Sequence, residues 1–343
     1  MKKLRVLVLM HEHLVPPESI SGLSKQEIQP FKMEYDVTKA LRALGHEVIP
    51  VPIKEELIPV RRAIEENNPH IAFNLLVSFL DIGIYDAHVI SYLELLKTPY
   101  TGVNPSGIML ASNKPLAKKI LTYHRIPVPG FAVYKLRHKR ISKPKRLRFP
   151  MIVKSTIEHS SVGIAQASIV NDDASLKERV EFIHRHIGTD AIGEEYIEGR
   201  EITIGVLGNE RLETFPVWEM LFDNLPEGAQ NIATSKIKWD IKYQRKIGVT
   251  TGQAKDLDKD KVAEISRLGK RIYRVLNLSG YARIDMRLTE RGDVFVIEAN
   301  PNPDLCRDED FAVSAHKHGI EYPQLIQRII SMGRGYRPAW KER

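Results

Sequence analysis

The sequence predicts an α/β protein, and three observations carry the prediction. Short apolar strands alternate with amphipathic helices over roughly the first 110 residues, as in an open, mostly parallel sheet. The chain has 343 residues, enough for two or three domains. Near its end, residues 281–303 read as two strands joined by a tight turn.

The elements follow in order. Residues 4–10 form a short apolar strand. Residues 35–44 are helical, with Val37, Ala40, Leu41 and Leu44 on one stripe and Gly45 as the stop. A strand at 47–52, a helix at 57–67, a strand at 70–76 and a helix at 87–96 come next. Residues 99–102 turn into a new strand. A helix capped by Ser112 or Asn113 carries Pro115 in its first turn. A basic stretch at 135–148 leads to a strand at 149–154 that ends on Lys154. Residues 174–187 are helical, and strands at 191–197 and 201–207 are joined by a turn at Glu198-Gly199-Arg200. Residues 223–252 are polar and aperiodic, the mark of a lid or binding loop. A helix at 261–276 feeds the last two strands.

Composition bounds the function. At 43% hydrophobic and 27% charged, the chain has the make-up of a soluble globular protein. Its one cysteine, Cys306, rules out an internal disulfide and fits a reducing cytoplasm. The apolar start is too short for a signal peptide, and His11-Glu12-His13 stands where a cleavage site belongs. No apolar run approaches the roughly 20 residues that span a bilayer, so no membrane partner is expected. The net charge of +8 invites nucleic acid. Its densest source, 135–148, lacks interleaved aromatics and reads as a solvated linker, so no nucleic-acid partner is expected. Anionic small molecules would feel the same field.

Segment 281–303 carries the clearest chemistry. A two-residue turn at Arg291-Gly292 sets Asp285 opposite Glu298 and Arg283 opposite Asn300. Side chains two apart share a face, so these four crowd one patch. Opposed carboxylates repel. A hard divalent cation removes that penalty, and an Asp/Glu/Asn oxygen set suits Mg²⁺. A solvated hairpin is the plain alternative, but these carboxylates alternate with apolar residues. Upstream, Lys154 precedes a small, hydroxyl-rich loop that can hold a polyphosphate or be an ordinary turn. Neither a P-loop nor G-x-G-x-x-G is present. Glu194 and Glu201 flank a turn and can bracket a nucleoside, or stand as surface carboxylates.

Together these motifs resemble the ATP-grasp ligases, most closely the D-alanine–D-alanine ligase branch, over roughly residues 99–304. The resemblance implies an ATP-grasp fold. An N-terminal doubly wound (Rossmann-like) domain would occupy 1–112, a central subdomain 113–205, and a C-terminal subdomain 206–343. Asn113-Lys114 resembles the family's entry to the central domain, which implies that Lys114 contacts ATP. Lys154 with Glu158-His-Ser-Ser-Val-Gly163 is similar to its strand lysine and phosphate-covering loop, with Ser160 a catalytic candidate. The stretch 194–201 looks like the adenine and ribose segment. Glu194 would meet the adenine amine, Glu195 and Ile197 the ring edge through backbone, and Glu201 the ribose. Lys242-Tyr243 resembles a pair on the family's closing loop. Arg283 would stabilise the oxyanion. Asp285, Glu298 and Asn300 would hold two Mg²⁺ ions, with Mn²⁺ an alternative.

The implied activity joins a carboxylate to an amine through an acyl phosphate, releasing ADP and phosphate. The implied partners are small-molecule acid and amine substrates and a second copy in a homodimer. Acid–thiol ligation, carboxylation, or nucleotide binding without turnover are other uses of such a fold. Two stretches depart from the family. Ile71-Ala-Phe-Asn-Leu-Leu-Val-Ser-Phe-Leu-Asp-Ile-Gly83 replaces a His-Gly-x-x-Gly-Glu-Asp-Gly segment, and Pro303-Asp-Leu-Cys-Arg-Asp-Glu-Asp310 replaces a Pro-Gly-to-hydroxyl run. The run Asp308-Glu309-Asp310 in the second puts three acidic side chains together, which would disfavour an amine substrate that carries a carboxylate.

Overall fold

Strand Arg5–His11 (β1) is buried on both faces. Val6, Val8 and Met10 enter one apolar cluster, and Leu7 and Leu9 enter another. A strand of this kind needs cover on both sides. β1 pairs in parallel with Glu47–Ile53 (β2) and with Ile71–Asn74 (β3), in the order β2-β1-β3. Helices Lys32–Ala43 and Tyr322–Gly335 cover one face, where Val37, Leu41, Leu325 and Ile329 meet Val6 and Phe73. Helices Ile58–Asn67, Asp86–Leu95 and Pro105–Ser112 supply Val60, Ile90 and Ile108 to the other. The last long helix of the chain therefore completes the first sheet. These features come from a computed structural model, which describes residues 2–137, 140–158, 163–224, 226, 230–232, 234, 236–237 and 240–341.

The strand expected after Gly102 does not form. Tyr100 makes a single parallel bridge to Ala72. Asn104 then caps a helix by accepting from the Gly107 amide at 2.9 Å, with Pro105 at the first helical position. That pairing of cap and proline is a helix start, and it outweighs the apolar run behind it.

Phe131–Tyr134 (β4), Met151–Ser155 (β5), Ile169–Val170 (β6) and Ala191–Glu195 (β7) form an antiparallel sheet in the order β4-β7-β5-β6. Helix Asp173–Phe182 packs Leu176 and Val180 against Met151 and Val153. Arg200–Leu207 (β8), Glu213–Thr214 (β9), Trp218–Phe222 (β10), Val249–Gln253 (β11), Tyr281–Leu288 (β12) and Val294–Pro301 (β13) form the third sheet. Its order is β11-β10-β8-β12-β13, with β9 on β8.

Two expectations change here. The strands β7 and β8 do not share a sheet; residues 196–199 cross from one sheet to the other. Gly199 makes the crossing at φ +142°, where an added Cβ would lie 2.3 Å from the Leu288 carbonyl oxygen, so only glycine fits. Nor is 223–252 loop throughout. Ile241–Ile247 is a helix, and β11 is an edge strand on β10. An edge strand needs little apolar surface, which is why 249–253 reads as loop. Among the described residues, no helix is long and apolar enough to cross a membrane.

Candidate active site

The β12–β13 hairpin sets Asp285 opposite Glu298 and Arg283 opposite Asn300, as expected. It arrives there by a different route. The turn is a three-residue loop, not a two-residue one: the Thr289 amide donates to the Asp293 carbonyl at 2.9 Å, and Gly292 sits at φ +85°. A glycine at the third position in the left-handed region selects the longer loop. The next pairs, Leu288–Val294 through Met286–Val296, are therefore one residue out of the expected register. An irregularity between Asp285 and Met286 leaves Ile297 as the extra residue and restores the pairing. The two one-residue offsets cancel at the carboxylates.

A cleft of about 840 Å³, open mouth included, lies between the second and third sheets. Ile152, Ile164, Ile197, Ile232, Met286 and Ile297 give it an apolar slot. Its polar lining includes Lys114, Lys154, Glu194, Glu201, Asp285 and Glu298, which the sequence reading had named, and Arg287, which it had not.

The charges are wired across the cleft. Arg283 donates twice to Asp285, at 2.8 and 2.9 Å, and the Asn300 amide donates to the same carboxylate at 2.8 Å. Burial opposes the Arg283 charge, but Asp285 outweighs it and holds the guanidinium above its usual value. Lys114 Nζ lies 3.7 Å from Glu298 and donates to the Glu158 carbonyl; burial pushes its pKa down, with Glu298 pulling the other way. Glu194 Oε2 lies 3.1 Å from Lys154 and 3.4 Å from Lys118. Burial alone would raise the Glu194 carboxyl, yet these two ammonium groups hold it below its usual value. Glu194 Oε1 is buried and has no hydrogen-bond partner among the described residues. Arg287 donates to Glu201 at 2.9 Å and to the Gly199 carbonyl at 3.0 Å. Burial is the largest influence on Glu201 and raises its pKa, partly offset by Arg287.

Other expected residues fall differently. Glu195 and Ile197 line the cleft, but the Glu195 carboxylate turns away to accept from the Arg148 amide at 2.8 Å. Lys242 and Tyr243 stand on helix Ile241–Ile247, Lys242 exposed and Tyr243 under the Lys236 ammonium at 4.3 Å. Neither lines the cleft. Instead Asn231 reaches it through its carbonyl, which accepts from Arg287, and Ile232 lines it. Gln230 exchanges two 3.0 Å hydrogen bonds with Gln166 beside them. Ser160 lies outside the described residues. Sequence reading missed Lys118 and Arg287. Both were signalled: Lys118 is one helical turn after Lys114, and Arg287 shares a strand face with Arg283 and Asp285.

Does this donor set fit a metal? Among the described residues no three His, Cys, Asp or Glu side chains gather into a metal-binding group. The two opposed carboxylates and the Asn300 side-chain oxygen fit an ion that takes the rest of its ligands from phosphate and water, as Mg²⁺ does.

The two departing stretches are distinctive. After β3, Leu80 and Asp81 hold φ of 54° and 57° in a tight turn closed by Phe79 and Ile82, leaving Val77, Leu80 and Ile82 exposed. The acidic run is partly spoken for. Asp308 pairs with Lys32, and Asp310 accepts from Trp218 at 3.1 Å and Thr251 at 2.6 Å. Asp310 also opens helix Asp310–Lys317, a favourable place for negative charge.

Comparison with known proteins agrees with this geometry. Residues 121–331 match the family described as D-ala D-ala ligase C-terminus. The D-alanine–D-alanine ligase of Nitratidesulfovibrio vulgaris is 30% identical over 298 residues, 87% of this chain and 90% of that protein. That of Desulforudis audaxviator is 28% identical over 320 residues, 91% and 96%. The crystal structure of the Bacillus anthracis D-alanine–D-alanine ligase complexed with ATP superposes with a TM-score of 0.72 at 22% identity, covering 96% of this chain and 97% of that one. Hairpin, cleft and relatives lead to one conclusion: the chain belongs to the D-alanine–D-alanine ligase family and is an ATP-dependent, ADP-forming carbon–nitrogen ligase of the ATP-grasp fold.

Proposed function

We propose that the cleft binds ATP between the two sheets and that the enzyme joins a small carboxylic acid to an amine. One observation carries this reading: Glu194 Oε1 is a buried acceptor without a partner at the edge of an apolar slot. An orphaned buried oxygen is costly. The exocyclic amine of adenine is a donor of the right kind, with Ile197 backbone at the ring edge and Glu201 at the ribose hydroxyls.

In the first step a substrate carboxylate oxygen attacks the γ-phosphorus as the bridging bond to ADP breaks. In the second the amine attacks the acyl carbon, phosphate leaves, and the amine loses a proton. Lys114 and Lys154 neutralise the phosphate oxygens. Arg283, fixed by Asp285, faces the oxygen on which charge develops in the second step. Asp285, Glu298 and Asn300 would hold Mg²⁺, two ions with Mn²⁺ able to substitute, and the metal supplies positive charge at the β- and γ-phosphates. Ser160 and the Lys242-Tyr243 helix act as parts of the covering loops that exclude water from the acyl phosphate.

The amine is assigned a class of its own. The 303–310 stretch carries Asp304, Asp308, Glu309 and Asp310 against the single cation Arg307, so it favours an amine without a neighbouring carboxylate, or one with extra positive charge. A cytoplasmic homodimer completes the proposal. ADP release across D-alanine, amino-acid amides, diamines and basic amino acids tests it. Better turnover with the amides, diamines or basic amino acids supports the assignment, and efficient D-alanyl-D-alanine formation sinks it.

A further inference from the structure

Lys118 stands where the two halves of the cleft meet. It lies one turn beyond Lys114 on helix Lys114–Tyr123, so both side chains leave the same face. The residue is 1% exposed, and its ammonium donates to the Ile297 carbonyl at 3.0 Å and lies 3.4 Å from Glu194 Oε2. Enclosing an ammonium is expensive unless it is paired and hydrogen-bonded, and burial pushes this one down to about 8. Both of its partners belong to the site. Ile297 is the extra residue of the β13 irregularity, next to Glu298. Glu194 is the carboxylate whose other oxygen is unpartnered.

We infer that Lys118 is a positioning residue that sets nucleobase specificity: it keeps Glu194 ionised, with Oε1 presented to the base edge. The inference rests on the nucleotide reading of the cleft. An ionised carboxylate only accepts hydrogen bonds. It therefore welcomes an amino group at that edge and repels a carbonyl. Without Lys118, Glu194 keeps one close cation, Lys154 at 3.1 Å. The carboxyl then shifts toward its protonated form, which can donate to a carbonyl.

Inosine triphosphate is the probe, because it replaces the 6-amino group of ATP with a carbonyl. The full-length protein is assayed for nucleoside diphosphate release with each nucleotide. Wild type prefers ATP. K118M lowers the ATP-to-inosine-triphosphate ratio of kcat/KM by about tenfold, through KM more than kcat. K118R, which keeps the charge, retains most of the preference. E194Q, with Lys118 in place, also loses preference, and adding K118M to it lowers the ratio no further. A merely structural lysine would weaken both nucleotides alike. An unchanged ratio in K118M, or in E194Q should K118M not fold, overturns the inference while ATP turnover by wild type leaves the cleft reading standing. A wild-type protein that turns over no nucleotide overturns the reading and the inference together.

Discussion

Glu194 and Asp86 are both buried carboxylates, and the protein treats them in opposite ways. Glu194 sits between Lys118 and Lys154, which hold it below its usual value. Asp86 opens the helix after the departing 71–83 stretch, its Oδ1 has no partner among the described residues, and burial pushes it up to about 7. One region keeps charge in place. The other lets a proton remove it. The cleft is built largely on strands held by their ladders, while the stretch before Asp86 contains a turn with exposed apolar tips. A scaffold that keeps its nucleotide chemistry on strands can vary its acceptor chemistry on loops.

Four experiments press on that contrast. E298Q should cost the most, lowering ADP formation by about 100-fold or more while circular dichroism stays native, because an amide is a weaker, neutral metal ligand. Near wild-type turnover at ordinary Mg²⁺ would show that the hairpin holds no metal. Next, K154A should lower kcat by about tenfold, whereas E201A should raise the KM for ATP more than it lowers kcat. Identical kinetic changes in both would erase the division between transition-state and ground-state contacts. On the acceptor side, E309S should shift preference toward carboxylate-bearing amines by a few-fold, read from ADP release with D-alanine and with D-alaninamide; no shift would detach this residue from specificity.

The smallest effect is one of stability. The Asp86 carboxyl holds its proton in the folded chain up to about 7 and sheds it in the unfolded chain near 3.8. Its contribution is therefore fully present below pH 3.8 and is lost as pH rises toward 7. D86N should stabilise the protein at pH 8 by roughly 1–3 kcal/mol, with the gain shrinking toward pH 4. Urea unfolding at both ends decides it: an equal gain at pH 4 and pH 8 would mean that ionisation of Asp86 is not the cause.

How legible was all this in the sequence? The apolar run of β1 and the alternation of type along β12 announced strands, and the interleaved carboxylates announced the site. The pairing of Asp285 with Glu298 was right for a reason that was partly wrong. The turn was misplaced by one residue, and only the irregularity at Ile297 repaired the register. At that irregularity the Ile297 carbonyl accepts from Lys118, a contact between residues 179 positions apart that no local pattern encodes. Nothing in Glu198-Gly199-Arg200 says, either, that the two strands this turn joins lie in different sheets. Lys118 was overlooked because a lysine on a helix ordinarily points to water, although its place one turn after Lys114 could be read from the sequence.

Helix Tyr322–Gly335, which seals one face of the first sheet, has a consequence for how the chain is made. Val6, Val8 and Phe73 leave the ribosome more than two hundred residues before Leu325 and Ile329 arrive to cover them. Contacts of such separation form late and slowly. A fragment ending at residue 112 would present that apolar face to solvent, so it should bind hydrophobic dyes and associate. The first sheet is made well before the helix that finishes it.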